Sequence, residues 1–146
     1  MTSYNDPSRS VDGTPTAADY QALATFRLAL RRFIAFSETA AADVGLMPQQ
    51  HQALLIIKTL SLKSSPSVGD VAEQLLIRHH SAVELINRLV RMELLHRYRD
   101  QEDRRRVRVA LTPLAEEKLA VLASTHLNEL RAVRPLLVSL LNHFHD

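Results

Sequence analysis

Residues Ser67 to Thr112 read SVGDVAEQLLIRHHSAVELINRLVRMELLHRYRDQEDRRRVRVALT. The first two thirds of this stretch carry apolar residues at the intervals that two short helices need when they cross steeply over a tight turn. Val71, Leu75, Ile77, Ala82 and Leu85 occupy those intervals, and Ile86 and Leu89 carry the stripe further along the second helix. Ala72 supplies a small side chain where the helices approach most closely. The turn position after Leu75 tends to need a positive φ and so favours Gly, but here it is Leu76. An ordinary helical hairpin in a core would show the same stripe, so the segment C-terminal to the two helices decides the fold.

That segment alternates with the period of a strand. Val107, Val109 and Leu111 alternate with Arg106, Arg108 and Ala110, which puts the apolar side chains on one face. Upstream, Leu95, Arg97 and Arg99 alternate with His96 and Tyr98 in the same way. Asp100 to Arg104 is charged throughout except for Gln101, which suits the exposed tip of a hairpin. Two short helices and then a basic β-ribbon make a winged helix-turn-helix, in which one helix enters a groove of DNA and the ribbon reaches the adjacent groove.

Charge is concentrated in the same place. Between Arg78 and Arg108 stand nine arginines against five acids, a net of +4 in a chain of +2, so the remainder sums to −2. That segment contains no Lys. Guanidinium groups favour bidentate contacts to phosphate or guanine over diffuse attraction. A solvated turn would also be polar, yet three adjacent arginines, Arg104 to Arg106, beside a recognition helix point to nucleic acid.

The flanks read as helices. Thr16-Ala17-Ala18-Asp19 resembles a capping box with Asp in place of Glu, and Leu23, Phe26, Leu30, Phe33 and Ile34 recur at helical spacing up to Val44, where Gly45 can end the helix. At the other end Thr112 and Pro113 give an N-cap followed by Pro at the first helical position. That helix is expected to run to about Arg131, with Pro135 starting or kinking a last one. The last segment, PLLVSLLNHFHD, is apolar on most sides and needs a partner surface. The expected organisation is a tail over residues 1–15, rich in Ser, Asp, Pro and Gly and so disordered, and a single mainly α domain over 16–146. Within it, 16–45 and 113–146 are dimerisation helices and 48–112 is the winged helix-turn-helix lobe with its small β-hairpin wing.

These features resemble the multiple-antibiotic-resistance regulator (MarR) family. The resemblance rests on Asp103-x-Arg105 followed by Val109-x-Leu111-Thr112, on the run GLMPQQHQALLII with its Gly45-Leu46-x-x-x-Gln50, and on the helix-turn-helix, and it extends from about residue 17 to the C-terminus. It implies a homodimer on double-stranded DNA, with Arg105 reaching the minor groove and Asp103 orienting its guanidinium. It also implies a ligand pocket between the dimerisation helices and the lobe, for which Arg32, Phe33, Phe36, His51 and Leu55 are the candidate lining. An Arg beside aromatic rings suits a small aromatic carboxylate. The chain departs from the family pattern at Met47, where Ser or Thr is usual, and at Glu93 and Ala115, where Gly is frequent.

In the recognition helix the residues off the apolar stripe are the candidate readers. Arg78, His79, His80 and Ser81 stand at its N-terminal end, with Glu84, Asn87 and Arg88 further along. Ser81 or a backbone N–H suits phosphate, Arg78 and His80 suit base edges, and Arg88 suits backbone positioning. Glu84 can accept from cytosine or pair with Arg88 at i+4. Together with Asp103, Arg104, Arg105 and Arg106 of the wing, these form the expected DNA-binding set.

The expectation for function is a sequence-specific, cytoplasmic transcriptional regulator. It would be a homodimeric repressor on an imperfect palindrome, released by a small aromatic or anionic ligand. The competing reading is a winged-helix module that binds protein or RNA. The chain has no Cys, which excludes thiol-based sensing and thiolate zinc. No metal and no cofactor is expected: the histidine pairs 79–80 and 143–145 have poor spacing for a helical chelate. With three glycines and no nucleophile motif, an enzyme is not expected. No apolar run reaches the roughly 20 residues of a membrane span, and the N-terminus lacks the apolar region of a signal peptide.

Overall fold

The computed structural model describes residues 13–144, so residues 1–12 of the expected tail lie outside the described residues. The elements run α1 (Ala17–Asp43), α2 (Pro48–Leu60), α3 (Val68–Leu75), α4 (His79–Arg91), β1 (Leu95–Arg99), β2 (Val107–Leu111) and α5 (Pro113–His143). The fold is mainly α with one antiparallel ribbon, paired Leu95↔Leu111, Arg97↔Val109 and Arg99↔Val107 on one face.

Helices α1, α2, α3 and α5 start where the sequence provides side-chain partners for backbone N–H groups of the first turn. At α1, Thr16 Oγ1 accepts from the Asp19 N–H at 3.2 Å and Asp19 Oδ2 accepts from the Thr16 N–H at 2.7 Å. At α3, Ser67 and Asp70 make the same reciprocal pair. Met47 cannot cap α2 as Ser would, but Gln50 Oε1 accepts from its N–H at 2.9 Å and Pro48 opens the helix. Thr112 Oγ1 accepts from the Ala115 N–H at 3.2 Å to start α5, and itself donates to the Glu93 carbonyl at 2.7 Å. One hydroxyl thereby fixes the end of the recognition helix to the start of α5.

Three helices end on the same Schellman pattern. Gly45, Leu76 and Glu93 all have left-handed φ, at 79°, 57° and 61°. In each case the next residue's N–H returns five residues: Leu46 to Ala41, Ile77 to Ala72 and Leu94 to Leu89, at 2.9–3.1 Å. Glycine adopts this conformation without penalty, whereas a residue with a Cβ pays about 1–2 kcal/mol. The positive φ expected at the turn therefore occurs at Leu76 even though Gly is absent. Leu76 is 92 % exposed, so its side chain returns almost no packing energy. Leu76→Gly is expected to stabilise the protein by about 0.5–1 kcal/mol, after the extra backbone entropy of Gly in the unfolded chain is subtracted. Urea titration should show a higher midpoint at unchanged slope, and a lower midpoint would show that the Leu76 side chain is not idle.

Two compact units result, one from residues 13–37 and 126–144, the other from Glu38–Thr125. The division falls inside the long helices α1 and α5, not at residues 45 and 113. The reason lies in the core of the second unit. It gathers Leu54 and Ile57 of α2, Val71 of α3, Ile86 and Leu89 of α4 and Val109 of β2. It also takes in Ala40 and Ala41 from the end of α1 and Leu119 and Leu122 from the start of α5. Leu75, Ile77 and Leu85 are only partly buried against it. Lys118 donates to the Val44 carbonyl, and Lys58 pairs with Glu116 at 2.7 Å, within the same unit.

In the other unit, α5 continues through Pro135 as one helix to His143, in place of the separate last helix expected from the sequence. Pro135 removes one i→i−4 bond, yet its φ is compatible with the helix, so a single missing donor is tolerated at that turn. Asp19 and His143 meet here at 3.0 Å. The Asp19 carboxyl is held below its ordinary value, first by the Thr16 N–H and then by His143.

Candidate nucleic-acid interface

Helix α4 has two faces set by its period. Ala82, Ile86 and Leu89 are buried, while Arg78, His79, His80, Glu84 and Arg88 are exposed, with Ser81 and Asn87 half-buried between them. No side chain caps the N-terminus of α4, where Arg78 holds the N-cap position. Its first N–H groups are therefore available to an anion. Glu84 and Arg88 do not close into an ion pair, so the i,i+4 role expected for Glu84 is not used.

The ribbon sorts its arginines into two sets. Arg97 and Arg99 share the face of β1 that carries buried Leu95, and both are exposed. Arg97 donates to Asn87 Oδ1 of α4, and Arg99 donates to the Arg104 carbonyl at 2.9 Å. On the opposite face, Arg108 pairs with Asp100 at 2.7 Å and donates to the Ser65 carbonyl. Backbone bonding continues this anchor, since the Val109 N–H donates to the Pro66 carbonyl at 3.0 Å. The Asp100 carboxyl lies below the usual range because the Glu102 N–H and then Arg108 favour its charged form. Arg108 is correspondingly raised by Asp100.

Arg104, Arg105 and Arg106 form the second set, exposed at the wing tip. Arg106 lies in this tip, not in β2 where strand alternation places it. The tip is shaped by its own backbone: the Arg106 N–H donates to the Asp103 carbonyl and the Asp100 N–H to the Arg106 carbonyl, both at 2.9 Å. Asp103 Oδ1 accepts from the Arg105 N–H at 3.1 Å and lies 3.6 Å from Arg105 Nε. The Arg105 side chain is 96 % exposed. Asp103 thus sits where it can orient that guanidinium without burying it.

Between α4 and the wing lies a cleft of about 300 Å³ lined in part by Ser67, His79, Asn87, Arg97, Arg105 and Arg106. Sequence reading missed that Arg97, Arg99 and Arg108 each bond to another group of the protein. For Arg97 the available signal was the alternation itself, which puts it on the strand face of buried Leu95.

The candidate ligand-pocket residues are distributed over both units. In the helical unit Arg32 and Phe33 line one apolar cavity of about 520 Å³ with Phe26, Leu130 and Val133. Phe33 and Phe36 each meet the His126 ring edge-to-face, with centroids 5.8 and 5.6 Å apart, and His126 Nε2 lies 2.8 Å from Ser37 Oγ. In the lobe, His51 is buried on α2 and Leu55 is exposed. Among the described residues no cluster of three or more His, Asp or Glu could hold a metal ion. No helix among them is long and apolar enough to cross a membrane.

The arrangement of α2, α3, α4, β1 and β2 defines a winged helix-turn-helix. Residues 44–106 match the family model described as the MarR family. A comparison with curated protein sequences returns no match. Solved structures share the fold. RV1404 from Mycobacterium tuberculosis is 21 % identical with a TM-score of 0.74, over 90 % of this chain and 95 % of that one. AbsC from Streptomyces coelicolor, a MarR family transcriptional regulator, is 20 % identical with a TM-score of 0.67, over 90 % and 81 %. A mutant of MepR from S. aureus bound to an oligodeoxyribonucleotide is 21 % identical with a TM-score of 0.65, over 82 % of each chain.

Proposed function

We propose that this protein is a cytoplasmic, sequence-specific DNA-binding transcriptional regulator, a homodimeric repressor that binds an imperfect palindrome. The observation that carries this reading is the pairing, on one lobe, of a recognition helix with exposed Arg78, His79, His80 and Arg88 and a wing tip with exposed Arg104, Arg105 and Arg106. Two such lobes related by a two-fold axis would enter successive major grooves about 10 bp apart, giving a site of about 15–20 bp once the wings are added. The fold shared with a DNA-bound MepR variant supports the same docking.

The dimer reading is supported by the helical unit, where Leu23, Leu30, Ile34, Leu136, Val138 and Leu141 are each 41 % exposed or more. Apolar side chains repeated along two helices call for a partner surface. A small aromatic or anionic ligand is the proposed releasing signal, supported by Arg32 beside Phe33 in an apolar cavity. It would act by binding more tightly to a dimer whose lobes misfit the DNA. An Arg32→Ala protein that still responds to such ligands would remove that cavity from the mechanism.

The test is a fluorescence-anisotropy titration against the protein's own upstream DNA with excess bulk DNA at two salt concentrations. Specific binding that falls steeply with salt is expected, and Arg105→Ala should weaken it about ten-fold or more. Binding that bulk DNA competes away would replace this reading with a winged-helix module for protein or RNA.

A further inference from the structure

We infer that Asn87 is a positioning residue and not a base reader: it orients Arg97, which takes a DNA backbone phosphate in the cleft between α4 and the wing. The inference rests on the DNA-binding reading and deepens it. Arg97 leaves β1 on the face that packs against α4, in register with buried Val109. Its guanidinium then meets Asn87 Oδ1 at the cleft. That bond uses one of the five N–H donors of the fork, so the others remain for a ligand.

The charges around the cleft make that ligand an anion. Arg97, Arg105 and Arg106 all line it, and no Asp or Glu is among the lining residues. Asp103 faces only Arg105, on the exposed wing tip, so the guanidinium groups that line the cleft leave it a net positive surface that favours an anion. The identity of residue 87 matters for the same reason. An Asn carbonyl orients Arg97 without neutralising it, whereas a carboxylate there would hold the same donor and cancel the charge offered to phosphate. The half-buried amide of Asn87, with its oxygen committed to Arg97, is poorly placed for the bidentate adenine contact that an Asn reader makes.

The experiment measures binding of the full chain and its variants to its own upstream fragment and to bulk duplex DNA across a salt series. Arg97→Ala should weaken binding to both DNAs by a similar factor, about ten-fold, and reduce the slope of log K against log salt by about 1. Asn87→Ala should weaken both in parallel and cost nothing further in the Arg97→Ala background. Asn87→Asp should flatten the slope as Arg97→Ala does, while Arg97→Lys should keep it. An Asn87→Ala protein that binds bulk DNA normally but relaxes its preference at one base pair would overturn the inference, as would additive losses in the double variant. Because bulk DNA reports a phosphate contact without sequence preference, failure of specific recognition is read separately from failure of this contact. Melting curves for each variant confirm that the lobe stays folded.

Discussion

Ile86→Ala should destabilise the winged-helix lobe by about 3 kcal/mol, within the roughly 2–5 kcal/mol range for truncating a buried Ile to Ala. Ile86 is 1 % exposed and lies on the inner face of α4, in the core shared by α2, α3 and the ribbon. Removing three methyl or methylene carbons forfeits their transfer energy and leaves a void that helices pinned at both ends cannot close. The start of α4 is fixed by the Leu76 turn, and its end by the Glu93 turn with the Thr112 hydrogen bond. Urea unfolding should show a midpoint lowered at nearly constant slope. Arg88→Ala, on the exposed face of the same helix, should shift the midpoint by no more than about 0.5 kcal/mol equivalent. A similar loss from both substitutions would mean that the two faces of α4 are not divided into core and surface.

The same two-sidedness explains how much of the molecule was legible in its sequence. The helix-turn-helix could be read because steep helix packing leaves few choices: Val71, Ala72, Ala82, Ile86 and Leu89 had to be apolar at those intervals, and all are buried. The wing could be read from period-2 alternation, and its register follows the expected faces. Capping at Thr16, Gly45 and Thr112 was local chemistry and equally visible.

Three things were hidden, each for a physical reason. A Pro inside a helix costs one bond but does not dictate a break, so the continuity of α5 through Pro135 depends on the rest of the helix. The limits of the compact units depend on which turns of α1 and α5 join the lobe core, as Ala41 and Leu122 do, and small or aliphatic residues on a long helix do not announce their neighbours. The fates of the nine arginines were the least legible. Sequence counts them as equal charges, whereas acceptors on other segments, such as the Ser65 carbonyl for Arg108 and Asn87 for Arg97, fix where individual guanidinium groups are held. The net charge of the region is the sequence's signal for nucleic acid. Its partition between Arg97, Arg99 and Arg108 on one side and Arg104 to Arg106 on the other required the fold.

In the proposed dimer, Leu30→Glu should have the largest effect on function of any substitution outside the DNA-binding lobe. Leu30 is 45 % exposed at mid-helix in α1 and lines the same apolar cavity as Phe33, Val133 and Leu137. Glu is as good a helix former as Leu, and at a half-exposed position its carboxylate can reach water, so the isolated chain should keep its fold. At a two-fold interface the substitution is introduced twice, and each carboxylate would have to be desolvated against an apolar surface with no added cation. Sedimentation at micromolar concentration should therefore report a monomer with an unchanged helical spectrum. DNA binding should fall by about 10²–10⁴, because the second half-site is then no longer an intramolecular partner of the first. The contrast with Arg105→Ala is diagnostic, since that variant should lose affinity while remaining a dimer. A Leu30→Glu protein that sediments as a dimer and binds its upstream DNA normally would show that the apolar face of α1 is not where the subunits meet.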